Sequence, residues 1–338
     1  MSGDEVQVLP EDLRGKATQI KGLSWPSGAA PPAVAPPDTL STTAVAINNL
    51  NMNAEGMWAY QEFGRLEGLR LAGTLDNVAA AYEKVDELSG EDIDATDLGE
   101  KGARSKRGIV LPNIVEMFPP EHPPDMPPPK GVQVCEPLLF PPATQRALEA
   151  GDGGGSLRAA AQAWRAHATS LAASAQQFET TSLDWEGEAA DAAYAKFNAY
   201  RDWLISLSDS WNALAGEADD LVEAHSAAKR DNAPIADEYE KLEQEIAADP
   251  SNPANPQKTS RMATLQGQSE DVRNHYARDG QPERIQPEEP PNPVVSGIPV
   301  TVDDHRRARS RLSQRSSQEL GPGGGAAGGG GSPPAGFR

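Results

Sequence analysis

Two runs of apolar residues at alternating spacings of three and four constrain this chain more than any other feature. The first is Leu157, Ala161, Trp164, Ala168, Leu171, Ala175 and Phe178; the second is Ala193, Phe197, Tyr200, Leu204, Leu207, Trp211, Leu214, Ala218 and Leu221. At 3.6 residues per turn such spacing keeps each run on one face, so each predicts a helix that buries a single stripe. Trp185-Glu186-Gly187 stands between the runs. The pair therefore predicts a helical hairpin with Trp-x-Gly at its tip.

The first half of the chain follows the same logic less cleanly. Leu13, Ala17, Ile20 and Leu23 predict a short amphipathic helix that breaks at Trp25-Pro26, with Pro31 to Pro37 making a turn. Asp38 or Ser41 then caps a much longer helix whose apolar positions include Ile47, Leu50, Ala54, Met57, Leu71, Leu75, Val78, Tyr82 and Val85. Gly64, Gly68 and Gly73 weaken its middle by about 1 kcal/mol each. They mark either the close approach of a neighbouring helix or a local bend.

From about Ser89 to Pro142 the periodicity is lost. Acidic residues come first (Glu91 to Glu100), then Lys101, Arg104, Lys106 and Arg107, then a dense proline run from Pro119 to Pro129. Proline in this quantity forbids regular helix and reads as a linker. A short helix is expected near Ala143 to Ala150. The glycines of Gly151 to Gly155 read as a flexible turn rather than a phosphate cradle, because no strand precedes them and no Gly-Lys-Ser/Thr follows. Ser156 is the expected cap of the first heptad helix, and the second heptad helix is expected to end near Lys229. Pro234 opens a further polar helix to Ala248, and a weakly amphipathic helix spans Thr259 to Arg278. The Pro- and Gly-rich residues beyond Gly280 read as disordered.

Composition narrows the function classes. Of 338 residues only 5% are aromatic, and the formal net charge of −20 argues against nucleic acid as a partner. One cysteine, Cys135, excludes an intramolecular disulfide framework. No apolar stretch reaches the roughly 20 residues needed to span a bilayer. Met1 to Pro10 is acidic without an apolar core, so no cleavable signal peptide is expected. The five histidines, His122, His167, His225, His275 and His305, lack a second His or a Cys at ligand spacing. No nucleophile, Walker loop or dinucleotide fingerprint is present either. The expectation is a non-enzymatic protein with no metal and no cofactor.

Two short motifs remain. At the hairpin tip, Asp184 is placed to cap the following helix, and Glu186 and Glu188 oppose its macrodipole. Gly187 permits close approach, and Trp185 offers a large surface with an N–H handle, although a tryptophan that merely plugs the hairpin end has the same appearance. Tyr82-x-x-x-Asp86 sets an aromatic and an acid one helical turn apart. Packing alone also accounts for Tyr82, which continues the stripe from Leu75 and Val78, and Tyr239-x-x-x-Glu243 nearly repeats the pattern.

These motifs carry a resemblance. The stretches Asn77-Val78-Ala79-Ala80-Ala81-Tyr82-Glu83-Lys84-Val85-Asp86-Glu87 and Asp184-Trp185-Glu186-Gly187-Glu188-Ala189-Ala190, in this order along the chain, resemble EspB-like substrates of mycobacterial type VII (ESX) secretion. The likeness covers roughly residues 10 to 290. It implies an all-α fold, an elongated four-helix bundle of PE/PPE type with a proline-rich linker and a disordered C-terminal tail. Four segments follow: a PE-like helical hairpin over 10–90, an acidic and proline-rich disordered linker over 91–141, a PPE-like helical domain over 142–280, and a disordered Pro/Gly-rich tail over 281–338.

The resemblance also implies that Tyr82 and Asp86 lie beside Trp185 and Gly187, forming a composite export signal. The implied partners are the type VII secretion machinery and a cognate chaperone, with a ring-like homo-oligomer outside the cell and a contribution to virulence. The protein is then secreted or held at the bacterial cell surface. Anionic phospholipids are a further implied partner, for which Arg306, Arg307, Arg309, Arg311 and Arg315 are the candidate contacts, with Lys101 to Arg107 as a second cluster. The same arginines equally serve to offset acidic neighbours. Family members have a much longer C-terminal tail, so tail processing stays open. A cytosolic helical scaffold or adaptor is the alternative reading.

Overall fold

A computed structural model of the protein describes residues 9–23, 34–97, 139–180, 183 and 188–291. Six α-helices lie among them: α1 (Pro10–Lys21), α2 (Ser41–Asp97), α3 (Pro141–Glu149), α4 (Gly155–Ala175), α5 (Glu188–Ala248) and α6 (Asn255–Asp279). A 3₁₀ turn, Gln176–Phe178, extends α4. No strand occurs among the described residues, so the fold is all-α. The chain divides into two compact units, one of residues Met1–Ala79 with Asn113–Val295, the other of Ala80–Pro112 with Ser296–Arg338.

In the first unit the predicted stripes are the core. Every residue of both heptad runs is buried, with Leu157, Ala168, Leu171, Phe178, Phe197, Leu204, Leu214 and Ala218 at 0% exposure. The α4 and α5 stripes face each other in antiparallel register. Phe178 meets Tyr200 in a tilted pair with centroids 4.6 Å apart, Ser208 donates to the Ala168 carbonyl at 2.8 Å, and Trp164 meets Trp211 at 6.5 Å. Fully burying one such leucine or phenylalanine contributes about 1.5–3 kcal/mol. An exposed ion pair such as Arg165–Asp219 is worth at most about 1 kcal/mol, so packing holds the hairpin.

The α2 residues of this unit lie across both heptad helices, antiparallel to α5. Gly64 and Gly68 make the approach. A Cβ built on Gly64 falls 1.7 Å from Trp203 Cη2, and one on Gly68 falls 2.7 Å from the Tyr200 hydroxyl. The close-approach alternative therefore holds for both positions. The Tyr200 hydroxyl also donates to the Gly64 carbonyl. Helix α1 buries Leu13, Ala17 and Ile20, and Lys16 Nζ donates to the Glu179 carbonyl at 2.6 Å. Thus α1, α2, α4 and α5 form the bundle, while α3 and α6 pack on the C-terminal part of α5.

Four boundaries differ from the sequence expectation, each for a local reason. Asp152, not Ser156, caps α4. Gly153 and Gly154 take left-handed φ values of 62° and 83°, which bring the Gly154 and Ser156 N–H groups onto the Asp152 carboxylate at 2.9 and 2.7 Å. Burial alone raises the Asp152 pKa, but the hydrogen bonds from Ser156 and Gly154 outweigh it and hold the carboxyl below its ordinary value. Ser156 instead donates its hydroxyl to the Ala35 carbonyl at 3.2 Å.

Helix α5 runs uninterrupted through Pro234. The carbonyl that proline leaves without a donor is that of Arg230, an exposed residue, so water can satisfy it. Helix α6 starts at Asn255, with Pro256 in the first turn where no N–H is needed. Helix α2 passes Ser89 and runs to Asp97, a stretch without proline.

Beyond Gly280, which faces Leu221 and Tyr276, residues Gln281 to Pro291 pack within the first unit, with Pro282, Pro287 and Pro290 buried. In the second unit the described part is the end of α2 from Ala80, where Tyr82 is half-buried and Lys84 pairs with Glu87.

Candidate functional site

The expected export residues are described unevenly. Tyr82 and Asp86 both lie within α2, one turn apart, but the Asp86 side chain is outside the described residues. Trp185 and Gly187 also lie outside them, as do Asp184, Glu186, the arginines from Arg306 to Arg315 and the Lys101–Arg107 cluster. The flanks of the hinge are clear. The first heptad helix ends at Phe178, α5 begins at Glu188, and the Tyr194 hydroxyl donates to the Leu183 carbonyl at 3.1 Å. That bond ties the first turns of α5 to the chain entering the hinge.

Further along α5, at His225, a buried polar cluster, which sequence reasoning resolved only as a cap, joins four segments. Asp38 has a side chain at 0% exposure. Its Oδ1 accepts the Leu40 N–H at 2.8 Å and its Oδ2 accepts the Tyr276 hydroxyl at 2.6 Å. The Thr43 hydroxyl lies 3.1 Å from Asp38 Oδ2 and 3.0 Å from Tyr276 Oη. His225 Nε2 sits 3.8 Å from Asp38 Oδ2 and donates to the Leu148 carbonyl at 2.9 Å.

Burial pushes the Asp38 carboxyl above its ordinary pKa, against the hydrogen bonds from Tyr276, Leu40 and Thr43. The same burial and the facing carboxylate push the Tyr276 phenol upward. His225 continues the apolar stripe one turn past Leu221, and a polar residue at a stripe position is the sequence signal of a buried partner. An open cleft of about 430 Å³ borders the cluster, lined by Gln145, Glu149, His225, Ser226, Lys229 and Arg230. The cluster braces the start of α2 against α3, α5 and α6, and holds no nucleophile–base pair aimed at a substrate.

His167, on α4, is a half-buried titratable group. Its Nε2 pairs with Gln61 Oε1, Trp211 meets its ring edge-on at 4.7 Å, and Trp58 lies at 5.9 Å. Burial lowers its pKa to about 4. A folded pKa below the unfolded one means that stability is fully present above about pH 6.5 and is lost as pH falls towards 4, amounting to about 2 kcal/mol after allowance for partial exposure. We expect the His167 ring resonances to titrate near pH 4, and His167→Gln to flatten the acid limb of the stability profile. A midpoint near 6.5 would contradict this. No group of three His, Cys, Asp or Glu side chains is placed to hold a metal among the described residues. No described helix is long and apolar enough to cross a membrane.

Comparison with known proteins bears on the two halves separately. The family model described as the ESX-1 secreted protein B PE domain matches residues 11–89, and that of the ESX-1 secretion-associated protein EspB, PPE domain, matches residues 142–293. The chain belongs to the EspB family. The ESX-1 secretion-associated protein EspB of Mycobacterium tuberculosis H37Rv is 28% identical over 289 residues, covering 85% of this chain and 59% of the relative. EspB of Mycobacterium marinum is 27% identical over 288 residues, with 85% and 60% covered. EspB of Mycolicibacterium smegmatis is 26% identical over 271 residues, with 79% and 49% covered. The chain thus spans no more than about three-fifths of these relatives' length.

The crystal structure of EspB from the ESX-1 type VII secretion system superposes with a TM-score of 0.74 at 24% identity, covering 88% of this chain and 100% of that one. The Mycobacterium marinum EspB structure gives a TM-score of 0.59 at 23% identity, with 85% and 98% covered. At these identities the likeness establishes the shared helical fold. In the EspB family the PE and PPE domains are joined in one chain, and the two matched segments here follow that order.

Proposed function

We propose that this chain is a non-enzymatic protein exported by a type VII (ESX) secretion system and delivered to the cell surface or medium. The observation that carries the reading is the tandem match to PE and PPE domain models, both belonging to a secreted family. Tyr82, Asp86, Trp185 and Gly187 act jointly as the export signal, read by the secretion machinery and a cognate chaperone. The continuity of α2 through Tyr82 and Asp86, and the start of α5 one residue after Gly187, support that assignment. Outside the cell the protein assembles into a ring-like homo-oligomer that contributes to virulence. It contacts anionic phospholipids through Arg306, Arg307, Arg309, Arg311 and Arg315, each worth about 1 kcal/mol at a negative surface.

The test is fractionation of culture filtrate against lysate in a mycobacterial host. Tyr82→Ala and Trp185→Ala should each reduce filtrate protein to the level of a strictly cytosolic control, while the retained protein melts like wild type. Tyr239→Ala, on the near-copy of the motif, should export normally. Normal export of both motif variants would refute the signal. Protein recovered from the filtrate should elute as an assembly and co-sediment with phosphatidylserine vesicles but not with phosphatidylcholine vesicles. Elution as a single chain, or equal binding to both vesicles, would remove the corresponding claim.

A further inference from the structure

The segment Gln281–Pro291 after α6 is neither helix nor strand, yet it is held at successive points along α2 and α5. Gln281 lies 3.5 Å from both Asn49 Nδ2 and the Thr42 carbonyl. Asn53 Nδ2 donates to the Glu283 carbonyl at 2.8 Å, and the Glu283 N–H donates to Glu217 Oε2 at 2.8 Å. Gln286 Nε2 donates to the Tyr60 hydroxyl at 3.0 Å, and Trp203 Nε1 donates to the Glu288 carbonyl at 2.9 Å. From Asn53 to Tyr60 a helix rises about 10 Å, and three residues of polyproline II helix, Glu283 to Gln286, rise about 9 Å. The segment is therefore extended, and prolines at 282, 287 and 290 fill the seam with their buried rings.

The groove is built for this occupant. Gly64 leaves the space that Trp203 fills, and the indole presents its N–H to a backbone carbonyl. An aromatic-lined groove that reads carbonyls and takes up proline rings is the general mode by which domains recognise polyproline II peptides. Two of the four close contacts are made to carbonyls of this segment, the strap, and a third to one of its N–H groups, so the proline spacing, more than the intervening side chains, sets what fits.

We propose that the α2/α5 groove is a binding site for an extended proline-rich peptide of a partner protein, occupied in cis by the chain's own strap. The pattern it takes is Pro-x-x-x-x-Pro-x-x-Pro, with a residue other than proline after the first proline, because Glu217 requires the N–H that follows it. Glu217 is itself half-buried, and burial raises its pKa, so loss of that N–H leaves a poorly solvated carboxylate. The strap is thus both an internal ligand and an inhibitor of the site.

The full-length chain carrying Pro287→Asp and Pro290→Asp tests this, with the synthetic peptide Gln281–Pro291, fluorescently labelled, as probe. The substitutions should raise hydrogen exchange at the Glu283 amide and allow the labelled peptide to bind. The wild-type chain should bind it at least about tenfold more weakly, because a tethered strap competes at an effective concentration near about 1 mM. Adding Trp203→Phe or, separately, Asn53→Ala should weaken peptide binding by up to about tenfold, the worth of one hydrogen bond. A peptide of residues 119–129 has prolines at the same spacing, Pro119, Pro124 and Pro127, but places Pro120 where the N–H is needed, and should bind weakly. The proposal is overturned by unchanged exchange at Glu283, by no binding to the released variant, by equal binding to wild type, or by equal binding of the 119–129 peptide.

Discussion

Gly64→Ala is expected to destabilise the folded chain by about 2 kcal/mol, whereas Gly216→Ala, the same change in another helix interior, is expected to stabilise it by about 1 kcal/mol. Alanine is the better helix former at both sites, so intrinsic propensity favours both substitutions equally. The difference is what a methyl group meets. At Gly216 nothing lies within 4 Å of the added Cβ, whereas at Gly64 it lies 1.7 Å from Trp203 Cη2 and 2.5 Å from Cζ3. The indole cannot swing aside cheaply, since Nε1 donates a hydrogen bond to the Glu288 carbonyl and the ring packs, tilted, with its centroid 5.2 Å from that of Tyr200. Overpacking of a closed seam costs about 3 kcal/mol, which exceeds the propensity gain.

Urea unfolding of the two variants beside wild type checks the opposite signs. Trp203→Phe, which removes the offending ring atoms, should recover part of the loss in the Gly64→Ala background and cost stability on its own. That non-additivity identifies the contact. Equal stability of the two glycine variants would mean that α2 is free to move away from α5.

The heptad spacing made most of this bundle legible in advance, because a single repeating geometry relates sequence to burial. The stripe positions from Leu157 to Phe178 and from Ala193 to Leu221 are buried without exception. What the spacing could not express is contact between segments remote in sequence. The glycines at 64 and 68 left bend and close approach undecided until Trp203 and Tyr200 stood opposite them. Pro234 reads as a helix start in isolation, yet the helix continues because the carbonyl it frees belongs to exposed Arg230.

Residues 281–291 carry the composition of a disordered tail, and no local signal distinguishes a solvated proline from one that fills a groove whose walls are remote in sequence. Asp38 was legible as a residue near a helix start. Its partners Tyr276 and His225, on two other helices, were not, because each made sense separately as one more residue on an amphipathic face. The export residues are the reverse case. Tyr82-x-x-x-Asp86 and Trp185-x-Gly187 stand out as motifs, and it is the family resemblance that gives them a role.

Asp38→Ala is expected to cost about 3–5 kcal/mol, the largest single loss of any substitution considered, because it leaves the donors of Leu40, Thr43 and Tyr276 unpaired around a side chain at 0% exposure. Asp38→Asn keeps the volume and one acceptor oxygen, and the Tyr276 and Thr43 hydroxyls can turn to accept from its amide, so its cost should be about 1 kcal/mol. The comparison with pH is more decisive than either number. Burial raises the carboxyl's pKa in the folded chain above its unfolded value of about 3.9. The contribution of Asp38 is then fully present below that unfolded value and declines as pH rises through the raised folded pKa. Asparagine does not titrate, so the stability of wild type relative to Asp38→Asn should be most favourable below the unfolded value, fall as pH rises through the raised folded one, and level off above it. Titrations of groups remote from Asp38, including that of His167, cancel in the difference. Tyr276→Phe removes a hydrogen bond that favours the carboxylate, which should move the decline to higher pH. A difference that is flat with pH, or that favours wild type increasingly as pH rises, would mean that Asp38 is ionised in the fold and that its neighbours outweigh the burial.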